Sequence, residues 1–149
     1  MGISTIFQKR LQELVDEEDT KKSILNKALG VDARSLSSAL NYGIIPKPRT
    51  LIRIADYFNV SISYLLGKNS QESFYKAEKE SNFNERLTLL CKQKDMSYYK
   101  LSLECHFDKS YISRWLHKNQ LPSFEILDIL CDYFNVSIDY LLGRTDEKD

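Results

Sequence analysis

Asp56-Tyr57-Phe58-Asn59-Val60-Ser61-Ile62-Ser63-Tyr64-Leu65-Leu66-Gly67 recurs as Asp132-Tyr133-Phe134-Asn135-Val136-Ser137-Ile138-Asp139-Tyr140-Leu141-Leu142-Gly143, an offset of 76 from position 56 to position 132. Self-similarity at a fixed offset marks a repeated structural unit, so it decides the architecture before any single element is assigned. Carried backwards without a gap, the offset pairs Phe7 with Phe83, Arg10 with Arg86, Leu11 with Leu87 and Leu14 with Leu90. It also pairs Leu25 with Leu101, Asp32 with Asp108, Leu40 with Leu116 and Pro46 with Pro122. The chain reads as a duplicated domain, near 6–69 and 82–145.

Composition sets the outer bounds. The chain has 149 residues, with 28% charged and 42% hydrophobic, enough for two small domains that each bury a core. Lys+Arg and Asp+Glu both total 21, which excludes a uniformly basic protein and leaves room for a locally basic face. Five Gly and three Pro disfavour a collagenous, low-complexity or turn-rich all-β chain, so helices are the default.

No apolar run approaches the roughly 18 residues that span a bilayer. The start carries Lys9 and Arg10 where a signal peptide needs an apolar stretch, and position 6 is Ile6, where the myristoylation pattern requires Ser or Thr. Cys91, Cys105 and Cys131 are odd in number and form no CxxC pair, which disfavours a disulfide framework and points to a reducing compartment. The expectation is a cytoplasmic protein with no membrane partner.

The expected domains are residues 1–69, a linker over 70–81, and residues 82–149 ending in a short acidic tail. The linker is polar apart from Phe74 and Tyr75 and contains no Gly or Pro, so it is expected to be a semi-rigid helix. Five short helices are expected in each copy. The first, about 6–17 and 82–94, carries an apolar stripe at Phe7, Leu11, Leu14 and Val15, matched by Phe83, Leu87, Leu90 and Cys91. The second covers about 21–29 and 97–105, with Ser97 as N-cap in one copy and Thr20 in the other. The third begins at the caps Asp32 and Asp108 and runs to about 41 and 117. The fourth follows at about 48–58 and 123–134. Ser61 and Ser137 cap the fifth, with Val60–Leu65 and Val136–Leu141 spaced as hydrophobic staples. Gly67 and Gly143 stand where a left-handed C-terminal residue belongs.

The second and third helices are joined by Leu29-Gly30-Val31 and Cys105-His106-Phe107. Gly takes a positive φ freely, and His does so more readily than most residues. Two helices around so short a turn make a helix-turn-helix. The residues Leu25, Ala28-Leu29-Gly30-Val31-Asp32, Leu36-Ser37, Asn41, Pro46 and Ile54-Ala55-Asp56-Tyr57-Phe58-Asn59-Val60-Ser61 resemble the phage repressor/Cro-type (xenobiotic-response-element) helix-turn-helix family. The resemblance covers both copies. It implies an all-α fold of two tandem five-helix lambda-repressor-like domains, and a double-stranded DNA operator as partner.

In that family the third helix lies in the major groove and reads base edges near its N-terminus. The helical period agrees with this placement. Leu36 and Leu40, like Ile112 and Leu116, should face inward. Ala33, Arg34, Ser37, Ser38 and Asn41 should then face outward, as should Lys109, Ser110, Ser113, Arg114 and His117. By resemblance the base-facing residues are Ala33, Arg34 and Ser38 in the first copy, and Lys109, Ser110 and Arg114 in the second. Arg and Lys can bond guanine O6 and N7, and Ser can serve several bases. Phosphate contacts are expected at the start of helix 2. The family often has Gln there, whereas this chain has Lys22 and Tyr98. Lys21 and Asn41 are further backbone-contacting candidates in copy one, with Tyr99, Lys100 and Lys118 in copy two.

Charge supports that face. Residues 20–43 hold Lys21, Lys22, Lys27 and Arg34 against Asp32, and residues 96–119 hold Lys100, Lys109, Arg114 and Lys118 against Glu104 and Asp108. The acidic excess lies elsewhere, notably Asp16-Glu17-Glu18-Asp19 and Asp146-Glu147-Lys148-Asp149. Cys105, His106 and His117 lack zinc-ligand spacing, so no metal is expected. The three cysteines align with Val15, Leu29 and Ala55 and are expected in the core. Trp115, aligned with Ala39, is expected to pack rather than stack on a base. Tyr57-Phe58 and Tyr133-Phe134 belong to the core or an interface. No catalytic triad, paired carboxylates or phosphate loop emerges, so neither enzyme, cofactor nor small-molecule ligand is expected.

The leading reading is a sequence-specific transcriptional regulator of the repressor kind, with one or both third helices in the major groove. Two heads in one chain would read unequal half-sites as a monomer, whereas one reading head and one self-associating head would make a homodimer on a symmetric operator. The alternative is a protein-interaction module, an antitoxin or adaptor, using the same surface without DNA.

Overall fold

The computed structural model describes residues 2–18 and 21–149, apart from the side chains of Lys22 and Ser23. Among them are ten α-helices: α1 (Thr5–Asp16), α2 (Lys22–Leu29), α3 (Ala33–Tyr42), α4 (Pro48–Phe58), α5 (Ile62–Leu65), α6 (Phe83–Gln93), α7 (Tyr98–Glu104), α8 (Lys109–His117), α9 (Phe124–Phe134) and α10 (Ile138–Leu141). Helices α7 to α10 begin 76 residues after α2 to α5. The chain divides into two compact units, unit 1 ending at Phe74 and unit 2 beginning at Tyr75.

Local chemistry sets most helix starts. Ser4 Oγ accepts from Phe7 N–H, Asn82 from Glu85, Ser97 from Lys100, Asp32 from Ser35, Asp108 from Ser110, Ser123 from Ile126, Ser61 from Tyr64 and Ser137 from Tyr140. Each bond satisfies an amide that the first helical turn leaves unpaired. Helices α2 and α4 differ, since their N-cap residues are Lys21 and Lys47 and no side chain caps either, α4 starting instead with Pro48. The expected cap Thr20 lies outside the described residues.

In unit 1, α1 packs on α3 and α5, α2 on α3 and α4, and α4 on α5. The core holds Phe7, Leu11, Leu25, Leu51, Ile54, Ile62 and Leu65. A short extended arm precedes α1. Ser4 N–H donates to Gly43 O (2.9 Å) and Ile45 N–H to Gly2 O (3.4 Å), so that Ile3 and Ile44 form an antiparallel bridge at the end of α3. Gln8 Nε2 donates to the carbonyls of both Leu40 and Asn41 at 3.0 Å, satisfying acceptors that the end of α3 leaves open.

In unit 2, α10 packs on α6 and α9, and α7 on α8. The core is built from Phe83, Leu87, Leu101, Trp115, Phe124, Leu127, Leu130 and Leu141. Cys91, Cys105 and Cys131 are buried at core positions, as the repeat implies. Burial pushes the Cys91 thiol up to about 11 and raises Cys105 too, so both stay protonated near neutrality.

One expectation is corrected here. Residues 70–81 form no helix. Ala77 N–H instead donates to Arg144 O (3.0 Å), Thr145 Oγ1 to Tyr75 O (2.8 Å), and Glu78 N–H to the Asp146 carboxylate (3.1 Å), so the second half of the segment belongs to unit 2. Twelve residues without an apolar face gain little from a helix, and amides that find partners outside it need none. The acidic tail is likewise no loose extension of the domain. Asp146 pairs with the buried Arg86 guanidinium (3.2 Å), Arg144 and Asp139 form a buried ion pair, and Lys148 O accepts from Ser137 N–H.

Gly143 allows this closure. Its φ is +78°, and a Cβ there would stand 2.5 Å from Asn82 N at the start of α6. Only a residue without a side chain fits so close to backbone.

Candidate nucleic-acid interface

Helices α2 and α3 flank Gly30, Val31 and Asp32, while α7 and α8 flank Cys105 to Asp108. Gly30 has φ +72° and His106 φ +60°, so both turns pass through the left-handed region that the sequence called for. The caps Asp32 and Asp108 then start α3 and α8. Each carboxylate accepts a backbone amide at 2.8 Å, from Ser35 and Ser110 respectively. These bonds hold both carboxyls below the usual range, so they remain ionised in mild acid.

On α3, Leu36, Ala39 and Leu40 are buried. Ala33, Arg34, Ser37 and Asn41 are exposed, and Ser38 is half-buried. Asn41 Nδ2 donates to Ser37 Oγ at 3.0 Å. Lys21 is exposed, while the Lys22 side chain, a phosphate candidate, lies outside the described residues.

On α8, Ile112 and Trp115 are the buried residues. Leu116, expected inward, is only half-buried, because the indole of Trp115 fills the interior that its counterpart Ala39 leaves to others. Lys109, Ser110, Ser113, Arg114, His117 and Lys118 are exposed, as are Tyr99 and Lys100 on α7. Tyr98 is half-buried, its hydroxyl 2.9 Å from Thr88 Oγ1. Four cations are thus exposed on α7, on α8 and at the C-cap of α8, namely Lys100, Lys109, Arg114 and Lys118, alongside the exposed carboxylates of Glu104 and Asp108.

Residues 87–141 match a helix-turn-helix family model. The matched span runs from α6 to α10 and takes in both helices and the turn just described. No curated protein and no solved structure matches the chain. The matched span and the geometry of α7, the turn and α8 thus agree on a helix-turn-helix.

The helix-turn-helix of unit 2 carries a feature that pattern reading passed over. The Lys109 ammonium lies 5.7 Å from the centroid of the Tyr99 ring, and the Arg114 guanidinium 5.4 Å from that of Tyr111. Tyr111 is parallel to Phe107 (4° between planes, centroids 6.4 Å apart), and Phe107 leans on Trp115 at 5.3 Å. The spacing of Phe107, Tyr111 and Trp115 at four-residue intervals, with Arg114 three after Tyr111, was the available signal.

Tyr57-Phe58 and Tyr133-Phe134 form edge-on pairs at 5.1 Å, and their tyrosine hydroxyls donate to Glu18 and Glu104 at 3.0 Å. Among the described residues no group of His, Cys, Asp or Glu is arranged to hold a metal ion, and no helix is long and apolar enough to cross a membrane.

Proposed function

We propose that the protein is a sequence-specific double-stranded DNA-binding transcriptional regulator that acts as a repressor, by binding alone and without catalysis. Unit 2 is the principal reader and lays α8 in the major groove. Lys109, Ser110 and Arg114 meet base edges, while Lys100, Lys118, Tyr98 and Tyr99 meet the phosphate backbone. The observation that carries this reading is the set of four exposed cations on α7, on α8 and at its C-cap within the span that matches the helix-turn-helix family. Against Glu104 and Asp108 they leave residues 96–119 locally basic in a chain whose formal net charge is zero.

Unit 1 repeats the order of helices and offers Ala33, Arg34 and Ser38 at the matching positions, with Lys21, Lys22 and Asn41 toward the backbone. On this reading it is a second head of the same tandem family, and its different side chains would read a different half-site.

A second reading has unit 1 bind protein, including another copy of the chain. It is favoured by Ile3, Tyr42 and Ile44 around the end of α3, exposed by 72, 64 and 40%. At the positions of Tyr42 and Ile44, unit 2 has Lys118 and Gln120.

Selection of the purified chain on a randomised duplex library at moderate salt tests both readings. An enriched motif, bound with an affinity that falls steeply with added salt, is the expected result. Unequal half-sites would support two heads in one chain, and a two-fold symmetric motif would support a dimer reading through unit 2. No enrichment, with no binding even at low salt, would leave protein interaction as the function.

A further inference from the structure

We infer that Tyr111 is a positioning residue for base discrimination: its ring, fixed against Phe107, holds the Arg114 guanidinium ready for a guanine edge. The inference rests on the DNA-reading function proposed above and names a residue that itself touches no base.

A continuous row of rings connects Arg114 to the core of unit 2. Phe83 on α6 and Trp115 on α8 are 2 and 3% exposed and meet edge to face, with centroids 5.6 Å apart and planes at 83°. Trp115 touches Phe107 in the turn, Phe107 lies parallel to Tyr111, and the Arg114 guanidinium rests over Tyr111. Phe83 and Trp115 are buried, Phe107 and Tyr111 half-buried and Arg114 exposed, so the row runs from the core to the surface.

The fold does not require the row. Unit 1 builds the same order of helices with Phe7, Ala39, Val31, Ser35 and Ser38 at the five positions, four of which are small or lack a ring. What unit 2 gains is a fixed cation. An exposed arginine loses rotamer freedom when it engages a base edge, and a guanidinium already stacked on a ring loses less of it. Asp108, the N-cap of α8, is a carboxylate within electrostatic reach of Arg114 in the last turn. Its carboxylate is engaged by Ser110 N–H, and the charges of Lys109 and Arg114 favour its ionised form. The Arg114 donors can therefore point outward while the ring supports the guanidinium face.

The test uses the full chain and compares wild type with Tyr111→Leu, Tyr111→Phe, Arg114→Ala and the Tyr111→Leu/Arg114→Ala double variant. The readout is the ratio of affinities for the selected site and for the same site altered at the base pair whose discrimination Arg114→Ala abolishes. Tyr111→Leu is expected to reduce that ratio by about two- to fivefold, the worth of an exposed cation–π contact. Tyr111→Phe should keep the ratio, low-salt affinity for random duplex should stay close to wild type, and the double variant should match Arg114→Ala. Tyr111→Ser, the side chain of unit 1 at this position, replaces the leucine variant if that one unfolds. An unchanged ratio overturns the positioning role, as does an equal loss on every sequence or a loss that adds to that of Arg114→Ala. Absence of any motif for the wild type overturns the DNA reading itself, and the positioning role with it.

Discussion

The pairs α2–α3 and α7–α8 share a buried leucine at Leu25 and Leu101, a left-handed residue in the turn, and an aspartate cap on the following helix. They part company on the outer face. Where unit 1 has Ala33, Ser35 and Ser38, unit 2 has Lys109, Tyr111 and Arg114. The comparison separates what builds the helix pair from what it presents. Buried periodicity and caps fix the geometry, and the exposed positions are then free to become small in one unit and basic and aromatic in the other.

The sharpest way to probe this contrast is Trp115→Ala, which places in unit 2 the residue found at Ala39. Removing a 3% exposed indole should cost unit 2 about 3–5 kcal/mol, because its neighbours Phe83 and Phe107 cannot close the void. Urea unfolding followed by far-ultraviolet circular dichroism should show one transition moving and the other staying. A uniform shift of both would break the picture of separate cores.

Next come the paired glycines, both at φ +78°. Gly67→Ala would meet the movable Ile6 side chain at 2.9 Å, so its penalty is mainly the left-handed backbone, about 1–2 kcal/mol. Gly143→Ala adds a collision with the backbone of Ser81 and Asn82, worth a further 1–3 kcal/mol or about that. Thermal melts that rank Gly67→Ala as the more damaging variant would refute this difference.

On DNA, Arg114→Ala should relax specificity at one base pair and weaken binding to the selected site by about 1–3 kcal/mol. Ser38→Ala, the matching change in unit 1, should have much the smaller effect. Equal effects would mean that both heads read with similar strength. Competition binding to the selected duplex and its single-pair variants decides it.

The smallest expected effect concerns what the two units share. Asp32 and Asp108 have lower carboxyl pKa values folded than unfolded, chiefly through the amides of Ser35 and Ser110. The stabilisation they provide is complete above the unfolded value near 4 and is lost as pH falls through the lower folded value. Asp108→Asn should therefore flatten the acid limb of unit 2 stability below about pH 4, leaving the limb of unit 1 unchanged. Urea midpoints measured across that range would show it.

Features encoded within a few residues were legible in the sequence: the caps, the turn with its positive φ, the apolar stripes and the cysteines that fill core positions. The outward placement of Ala33, Arg34, Lys109, Ser110 and Arg114 followed from helical period alone. What escaped depends on residues far apart in sequence. Nothing near residues 75–78 indicates that Arg144, Thr145 and Asp146 will supply their hydrogen bonds, so the absence of Gly and Pro read as helix. Gln8 shows no local sign that it will serve the end of α3, more than thirty residues away. The half-exposure of Leu116 follows from a ring row whose first member, Phe83, sits on another helix.

The bond between Ala77 N–H and Arg144 O also fixes where load would fall. The strands of chain leading into and out of unit 2 are tied side by side, with Thr145 reaching Tyr75 and Asp146 reaching Glu78 next to it. A tension applied through those two leads would first load this clasp together with the ties of the tail to Arg86 on α6 and to Ser137 at the start of α10, and would reach α7 and α8 only after these had opened. The helices that carry the exposed cations are thereby shielded from pulling on the chain that flanks them.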